Sequence, residues 1–318
     1  MSDNRPWFVT GAAGFLGSHV IDECLRRGRN IVAIDNLSWG KAEHLAAAQQ
    51  AAQPGAMQLV VADIRDAEGT AKLFARYRPQ AVIHLAALHY IPAAIADPPL
   101  AVGINVQGTE SVLSAAAAAG VERLYFASTG DVYAPQEGAL REDSPIAPFN
   151  IYGLTKLMGE QLVALAARNR PELCAVVGRL FNLYGPRETN PHLLPEILKQ
   201  IRQRPDAPLQ LGSLWPRRDM VPVMEAARAV VELVERATPG VTTVNVATGQ
   251  ARTMQQVVDL LGELRGRPLV VETDPGRIRA VERPHLQADV AKLRSILGWT
   301  PSADLKQGLA ALLKAEPL

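Results

Sequence analysis

A strand, a glycine loop and a helix follow one another without interruption near the start of the chain, and few folds accommodate that order. Trp7-Phe-Val-Thr10 is a short apolar strand, Gly11-Ala-Ala-Gly14-Phe-Leu-Gly17 comes next, and apolar residues at helical spacing (Val20, Ile21, Cys24, Leu25) continue it. Such a loop is a phosphate-binding turn. Its first glycine permits the tight turn, its second lets a ligand approach the backbone, and its third lets helix and strand pack closely, while the helix N-terminus attracts an anion. The next strand, residues 30–35, ends in Asp35, eighteen positions after Gly17. A carboxylate there suits a ribose 2′-hydroxyl and repels a 2′-phosphate, which favours NAD over NADP. Asn36-Leu37-Ser38 brings no arginine to reverse that preference.

The alternation continues. Residues 57–62 read as a strand ending at Asp63-Ile64, 67–77 as a helix, and 81–85 as a strand ending at Ala86-Ala87. A long helix over about 100–119 contains Asn105, and strands at 123–128 and 173–179 follow. Strands alternating with helices predict an α/β fold with a doubly wound parallel sheet (Rossmann fold), whose ligands lie along the carboxyl ends of the strands. After Arg187 the pattern is more helical and less regular, with helices at 195–203, 225–236 and 253–265, strands at 208–212 and 243–246, and closing segments at 293–299 and 305–313. We therefore expect a dinucleotide-binding domain over 1–180 and a smaller mixed α/β substrate-binding part over 181–318, interleaved with returns to the main sheet.

Phe149-Asn-Ile-Tyr-Gly-Leu-Thr-Lys156 precedes a further apolar helix pattern and places Tyr152 and Lys156 four residues apart, on one helix face. An ammonium beside a phenol lowers the phenol's pKa, so Lys156 is expected to tune Tyr152 as a base for an alcohol at neutral pH. Net charge is +1 over 318 residues, with 20% charged and 48% hydrophobic, so no global field or basic stripe draws the chain to nucleic acid or a membrane. Two separate cysteines, Cys24 and Cys174, in apolar sequence and without a CxxC pattern read as buried thiols of a reducing compartment. Six scattered histidines show no metal-ligand spacing. With neither a signal-peptide core nor an apolar run of about 20 residues, a cytoplasmic protein is expected.

Together these segments resemble the extended short-chain dehydrogenase/reductases, in particular the NAD-dependent sugar-nucleotide epimerases and dehydratases. The carriers span nearly the whole chain: Thr10 to His19, Asp35-Asn-Leu-Ser38, Asp63-Ile64, His84-Leu-Ala-Ala87, Asn105-Val-Gln-Gly-Thr109, Ser128-Thr-Gly-Asp-Val-Tyr133, Tyr152 with Lys156, and Arg179-Leu-Phe-Asn-Leu-Tyr-Gly-Pro-Arg187. The resemblance implies NAD contacts from Gly11, Gly14, Phe15, Leu16, Gly17, Asp35, Asn36 and Ser38. Further NAD contacts are implied for Asp63 and Ile64 at the adenine, and for Leu85, Ala86, Ala87, Asn105, Tyr152 and Lys156. It makes Tyr152 the proton-transferring base, Lys156 its tuning cation and ribose anchor, and Thr129 the hydroxyl that holds the reacting oxygen. A nucleotide-sugar substrate would meet Arg218 and Arg279 at its diphosphate and Asn182 at the sugar or diphosphate, with His89 on a loop at the sugar pocket. A homodimer through helices near 100–119 and 152–168 is also implied.

Hydride transfer from a sugar carbon to NAD, with Tyr152 taking the hydroxyl proton, gives a transient keto sugar. If the ketone turns over and takes the hydride back on its other face, C4 epimerisation results; if a second base removes the neighbouring proton, the outcome is 4,6-dehydration. Asp131, two residues before Tyr133, bears on this choice. Dehydratases often carry glutamate there, some decarboxylases and reductases also carry an acid, and one dehydratase group has a companion acid where this chain has Gly130. Pro222 and Ala134 also depart from the usual pattern. A dinucleotide sensor that catalyses nothing is the reading from a different class, and the retained Thr129, Tyr152 and Lys156 count against it.

Overall fold

The computed structural model describes residues 4–278 and 282–318. Among these, the strands in chain order are β1 (Trp7–Thr10), β2 (Ile31–Asp35), β3 (Met57–Val61), β4 (Ala81–His84), β5 (Arg123–Thr129), β6 (Cys174–Leu180), β7 (Asn182–Tyr184), β8 (Leu209–Leu211), β9 (Arg217–Pro222), β10 (Gly240–Val246), β11 (Ala251–Thr253), β12 (Val271–Thr273) and β13 (His285–Leu286). Seven form one sheet in the order β10-β6-β5-β4-β1-β2-β3, every pair parallel. The order reverses beside β1, which lies between β2 and β4, and the crevice at such a switch point is where a doubly wound sheet receives its ligand.

The central strands are buried on both faces, as continuous apolar runs such as Trp7-Phe-Val and Ile31-Val-Ala-Ile require. On one face Val9, Ala33 and Ile83 meet Val20 and Ile21 of the helix Phe15–Arg26 and Val230 and Val234 of the helix Val223–Arg236. On the other, Phe8, Val82 and Phe126 meet Phe74, Val112 and Val163. A third apolar cluster, with Ile197, Leu209, Leu261 and Leu309, belongs to the later part of the chain. That part is interleaved with the sheet: β10 runs alongside β6 from Gly240 opposite Cys174 to Val246 opposite Leu180.

The structure departs from the sequence reading in three ways. The helix expected over about 100–119 is two α-helices, Pro98–Val102 and Gly108–Ala118, joined through a π-helical turn at Gly103–Gln107. The turn carries Asn105, whose amide is drawn inward: its Oδ1 accepts from Leu88 N–H (2.7 Å), and its Nδ2 donates to Leu88 O (3.1 Å) and Thr155 Oγ1 (3.0 Å). π-turns commonly mark places where a side chain must be re-aimed. Strands β7, β9, β11, β12 and β13 were not anticipated, because they are two to six residues long and only partly buried. Cys24 is buried as expected, whereas Cys174 is half-exposed at the start of β6. Among the described residues no helix is long and apolar enough to cross a membrane.

Candidate active site

A cavity of about 930 Å³ runs along the carboxyl ends of the strands and into the later part of the chain. At one end lies the glycine turn. Gly11 has φ +69°, and a Cβ there would lie 2.8 Å from Ala86 N, so the turn rests directly on the Leu85-Ala86 backbone. At Gly17 a Cβ would lie 2.0 Å from Gly11 O, so helix and turn pack without room for a side chain. The helix Phe15–Arg26 begins at Gly14 with no side-chain cap and no acidic residue in its first turn, which leaves its N-terminal N–H groups for an anion. Gly14, Phe15 and Leu16 face the cavity together with Leu85, Ala86 and Ala87.

Asp35 closes β2 and is buried, its Oδ2 accepting from Ala13 N–H (2.9 Å) and its Oδ1 from Leu37 N–H (2.8 Å). Burial raises its pKa, and these two N–H groups oppose the rise. One lone pair on each oxygen remains for a ligand hydroxyl. Asn36, Ser38, Asp63 and Ile64 line the same end; the Arg65 guanidinium and the Asn36 amide hold Asp63 well below the usual carboxylate range. A dinucleotide fits this donor set: N–H groups for its diphosphate, and a strand-end carboxylate for its adenosine ribose. Asn105 lies outside the cavity wall. Its amide clamps the Leu88 loop.

In the middle of the cavity three elements converge. β5 delivers Thr129, and the helix Ile151–Asn169, capped by the Asn150 side chain (2.7 Å to Gly153 N), delivers Tyr152 and Lys156 on one face. A Cβ on Gly153 would lie 2.6 Å from Asp131 O, so glycine lets the helix seat Tyr152 against Asp131. Gly159, whose Cβ would lie 2.3 Å from Phe126 Cζ, makes room for the ring beneath Lys156. The ammonium sits 4.4 Å from that ring's centroid.

The expected tuning of Tyr152 by Lys156 is corrected here. With only the protein's own groups acting, burial raises the phenol's pKa, Asp131 raises it further, and the hydrogen bond with Thr129 opposes them. Lys156 itself is the strongly displaced partner: burial lowers it to about 7, against the pull of Glu160. The i, i+4 spacing does put both groups on one face. It does not, however, reveal that the ammonium lies beneath the surface, between an aromatic ring and a carboxylate.

Toward the later part of the chain, Asn182, His89 and Arg218 all line the cavity. His89 Nε2 meets the Asn190 amide at 2.8 Å. Arg218 pairs with Glu282 (2.5 Å) and donates to Arg283 O (2.8 Å). Arg279 lies outside the described residues. Sequence reasoning missed Arg283, a buried arginine 3.6 Å from Asp131, and Arg277, which pairs with Glu196 at 3.0 Å on the cavity wall. Each stands in an irregular segment where no periodicity marks it.

The fold and site define a class of dinucleotide-dependent enzyme, in which one cavity joins the glycine turn to a threonine, a tyrosine and a lysine. Residues 7–247 match the NAD dependent epimerase/dehydratase family, and the chain belongs to that family. A UDP-glucose 4-epimerase of Mycolicibacterium smegmatis is 33% identical over 308 residues, 95% of each chain. Among solved structures, the UDP-glucose 4-epimerase of Thermotoga maritima with UDP-glucose superposes with a TM-score of 0.86 at 29% identity. MoeE5 in complex with UDP-glucuronic acid and NAD superposes at 0.84 and 29%; each match covers 98% of both chains.

Proposed function

We propose that the protein is an NAD-dependent C4 epimerase of nucleotide hexoses. The observation that carries this reading is the single cavity joining the Gly11–Gly17 turn to Thr129, Tyr152 and Lys156. The Thr129 hydroxyl, itself accepting from Asp131 N–H (3.2 Å), holds the reacting sugar oxygen. Tyr152 takes the proton from that oxygen and later returns it. NAD, when bound, supplies the hydride acceptor and a positive ring that favours the phenolate. Lys156, which lines the cavity beside Tyr152, would hold the nicotinamide ribose. Arg218 binds the diphosphate, so that the sugar can turn over while its tether stays fixed.

Elimination to a 4-keto-6-deoxy sugar is the second reading, favoured by one observation, the electrostatic reach of Asp131 to Tyr152. The test is incubation of the NAD-loaded protein with a panel of nucleotide sugars, followed by NMR of the products. A C4 epimer supports the first reading and a 4-keto-6-deoxy sugar the second. Tyr152→Phe is expected to lower kcat by at least about 100-fold, the scale of acid–base catalysis, with the fold intact by circular dichroism. Full turnover in that variant would remove Tyr152 as the base. A homodimer is part of the proposal, supported by the apolar stripe of Leu154, Met158 and Leu165 that the helix Ile151–Asn169 exposes to solvent. Sedimentation showing only monomer at micromolar concentration would exclude it. A cytoplasmic location is likewise proposed, supported by two separate cysteines without a CxxC pattern.

A further inference from the structure

We infer that Asp131 and Arg283 together read a neutral sugar hydroxyl, so that the hexose accepted is an uncharged one rather than a uronic acid. This rests on the nucleotide-sugar reading above and names which sugars that site takes.

Arg283 is 4% exposed and lines the cavity. Its Nη2 donates to Tyr133 O, and its guanidinium packs 4.9 Å from the Phe149 ring centroid. Its Nε and Nη1 are buried and find no acceptor among the described residues. Nε lies 3.6 Å from Asp131 Oδ1, close enough for charge attraction and too long for a hydrogen bond. Buried charged donors left without an acceptor are costly, and in a cavity wall they indicate where a ligand oxygen belongs. The ligand part at this point is the sugar, because Asp131 acts electrostatically on the Tyr152 phenol and its carbonyl packs against Gly153.

A hydroxyl is both acceptor and donor. Seated beside the pair, it accepts from Arg283, giving the orphaned donors their acceptor, and donates to the Asp131 carboxylate. A carboxylate would satisfy Arg283 but would set a second negative charge beside Asp131, and two carboxylates sharing one site disfavour each other.

The test is calorimetric titration of the NAD-loaded protein with two matched pairs, UDP-glucose against UDP-glucuronate and GDP-mannose against GDP-mannuronate, each compared with the bare nucleoside diphosphate. The neutral sugar of the pair that binds is expected to bind at least about tenfold tighter than its uronate. Asp131→Asn, a change of equal size at a half-buried position, should narrow that ratio about tenfold, chiefly by tightening the uronate. Arg283→Gln should weaken the neutral sugar by about 10- to 100-fold, the range for a hydrogen bond to a charged group. It should leave the bare nucleotide within about twofold, and Arg283→Lys should restore part of the loss. A wild-type preference for the uronate overturns the inference. So does an Asp131→Asn ratio equal to wild type, or an Arg283→Gln loss shared equally by the bare nucleotide. If no sugar binds more tightly than its bare nucleotide, the functional reading falls and this inference with it.

Discussion

Glu160→Gln should separate two roles that one buried carboxylate performs. Glu160 takes the Arg179 guanidinium side-on, Oε1 from Nε at 2.9 Å and Oε2 from Nη2 at 2.8 Å, with Ser128 Oγ donating to Oε1. The two side chains are only 10% and 7% exposed. Removing one member of such a pair leaves an uncompensated buried charge and costs about 3–5 kcal/mol. An unfolding entropy near 2 cal/mol/K per residue, over a chain of this length, converts about 4 kcal/mol into a fall in Tm of roughly 6 °C. Glu160 also holds Lys156 up against burial, which otherwise lowers it; the balance stands at about 7. Without the Glu160 charge the Lys156 pKa falls further, so less of the ammonium survives at neutral pH. Calorimetry and the pH profile of kcat should thus move together, Tm downward and the alkaline limb toward acid. Arg179→Gln is the control: it should cost similar stability and leave the Glu160 charge acting on Lys156, so its alkaline limb should not shift toward acid. An unchanged Tm in Glu160→Gln would refute the buried pair as a stabilising unit. A lowered Tm with an unmoved limb would refute the electrostatic link to Lys156.

Two further outcomes follow from the geometry. Gly17→Ala puts a methyl group 2.0 Å from Gly11 O and 2.8 Å from Ala12 Cα, so the turn must open; a loss of about 1–3 kcal/mol in urea unfolding is expected, with NAD affinity by fluorescence titration down roughly tenfold or more. His84 is buried neutral between Thr10 Oγ1 (2.7 Å) and Thr109 Oγ1 (2.9 Å), and burial, then Lys156, lowers its pKa from 6.5 to about 3. Between those values the unfolded chain takes up a proton that the folded chain refuses, so stability should fall as pH falls from about 6.5 toward 3, by up to about 1.4 kcal/mol per unit. Urea midpoints across that range should show the slope, and His84→Gln should flatten it.

The main sheet was legible in the sequence because its central strands are continuous apolar runs and five of its seven strands lead into a recognisable marker: Gly11, Asp35, Asp63, Ala86 and Thr129. Residues at those markers reach the cavity because a parallel sheet collects its carboxyl ends on one edge. The hydrogen bonds by which Asn105 clamps the Leu88 loop were not legible, since helical periodicity carries no sign of a π-turn. The influence of Lys156 on Tyr152 was read from spacing alone, and spacing is blind to burial, to the Phe126 ring and to Glu160. Arg283 was invisible for a related reason. It precedes the two-residue strand β13, and its place beside Asp131 is fixed by contacts across about 150 residues of chain.

After its long excursion the chain comes back to lay β10 along β6 as the outermost strand of the main sheet. The later part of the chain is therefore no detachable cassette. A truncation after Leu180 would strip β6 of its neighbour and present a bare row of N–H and C=O groups, a template for aggregation. Any attempt to swap sugar preference by splicing in a lobe from a relative must carry β10 and its register along with it.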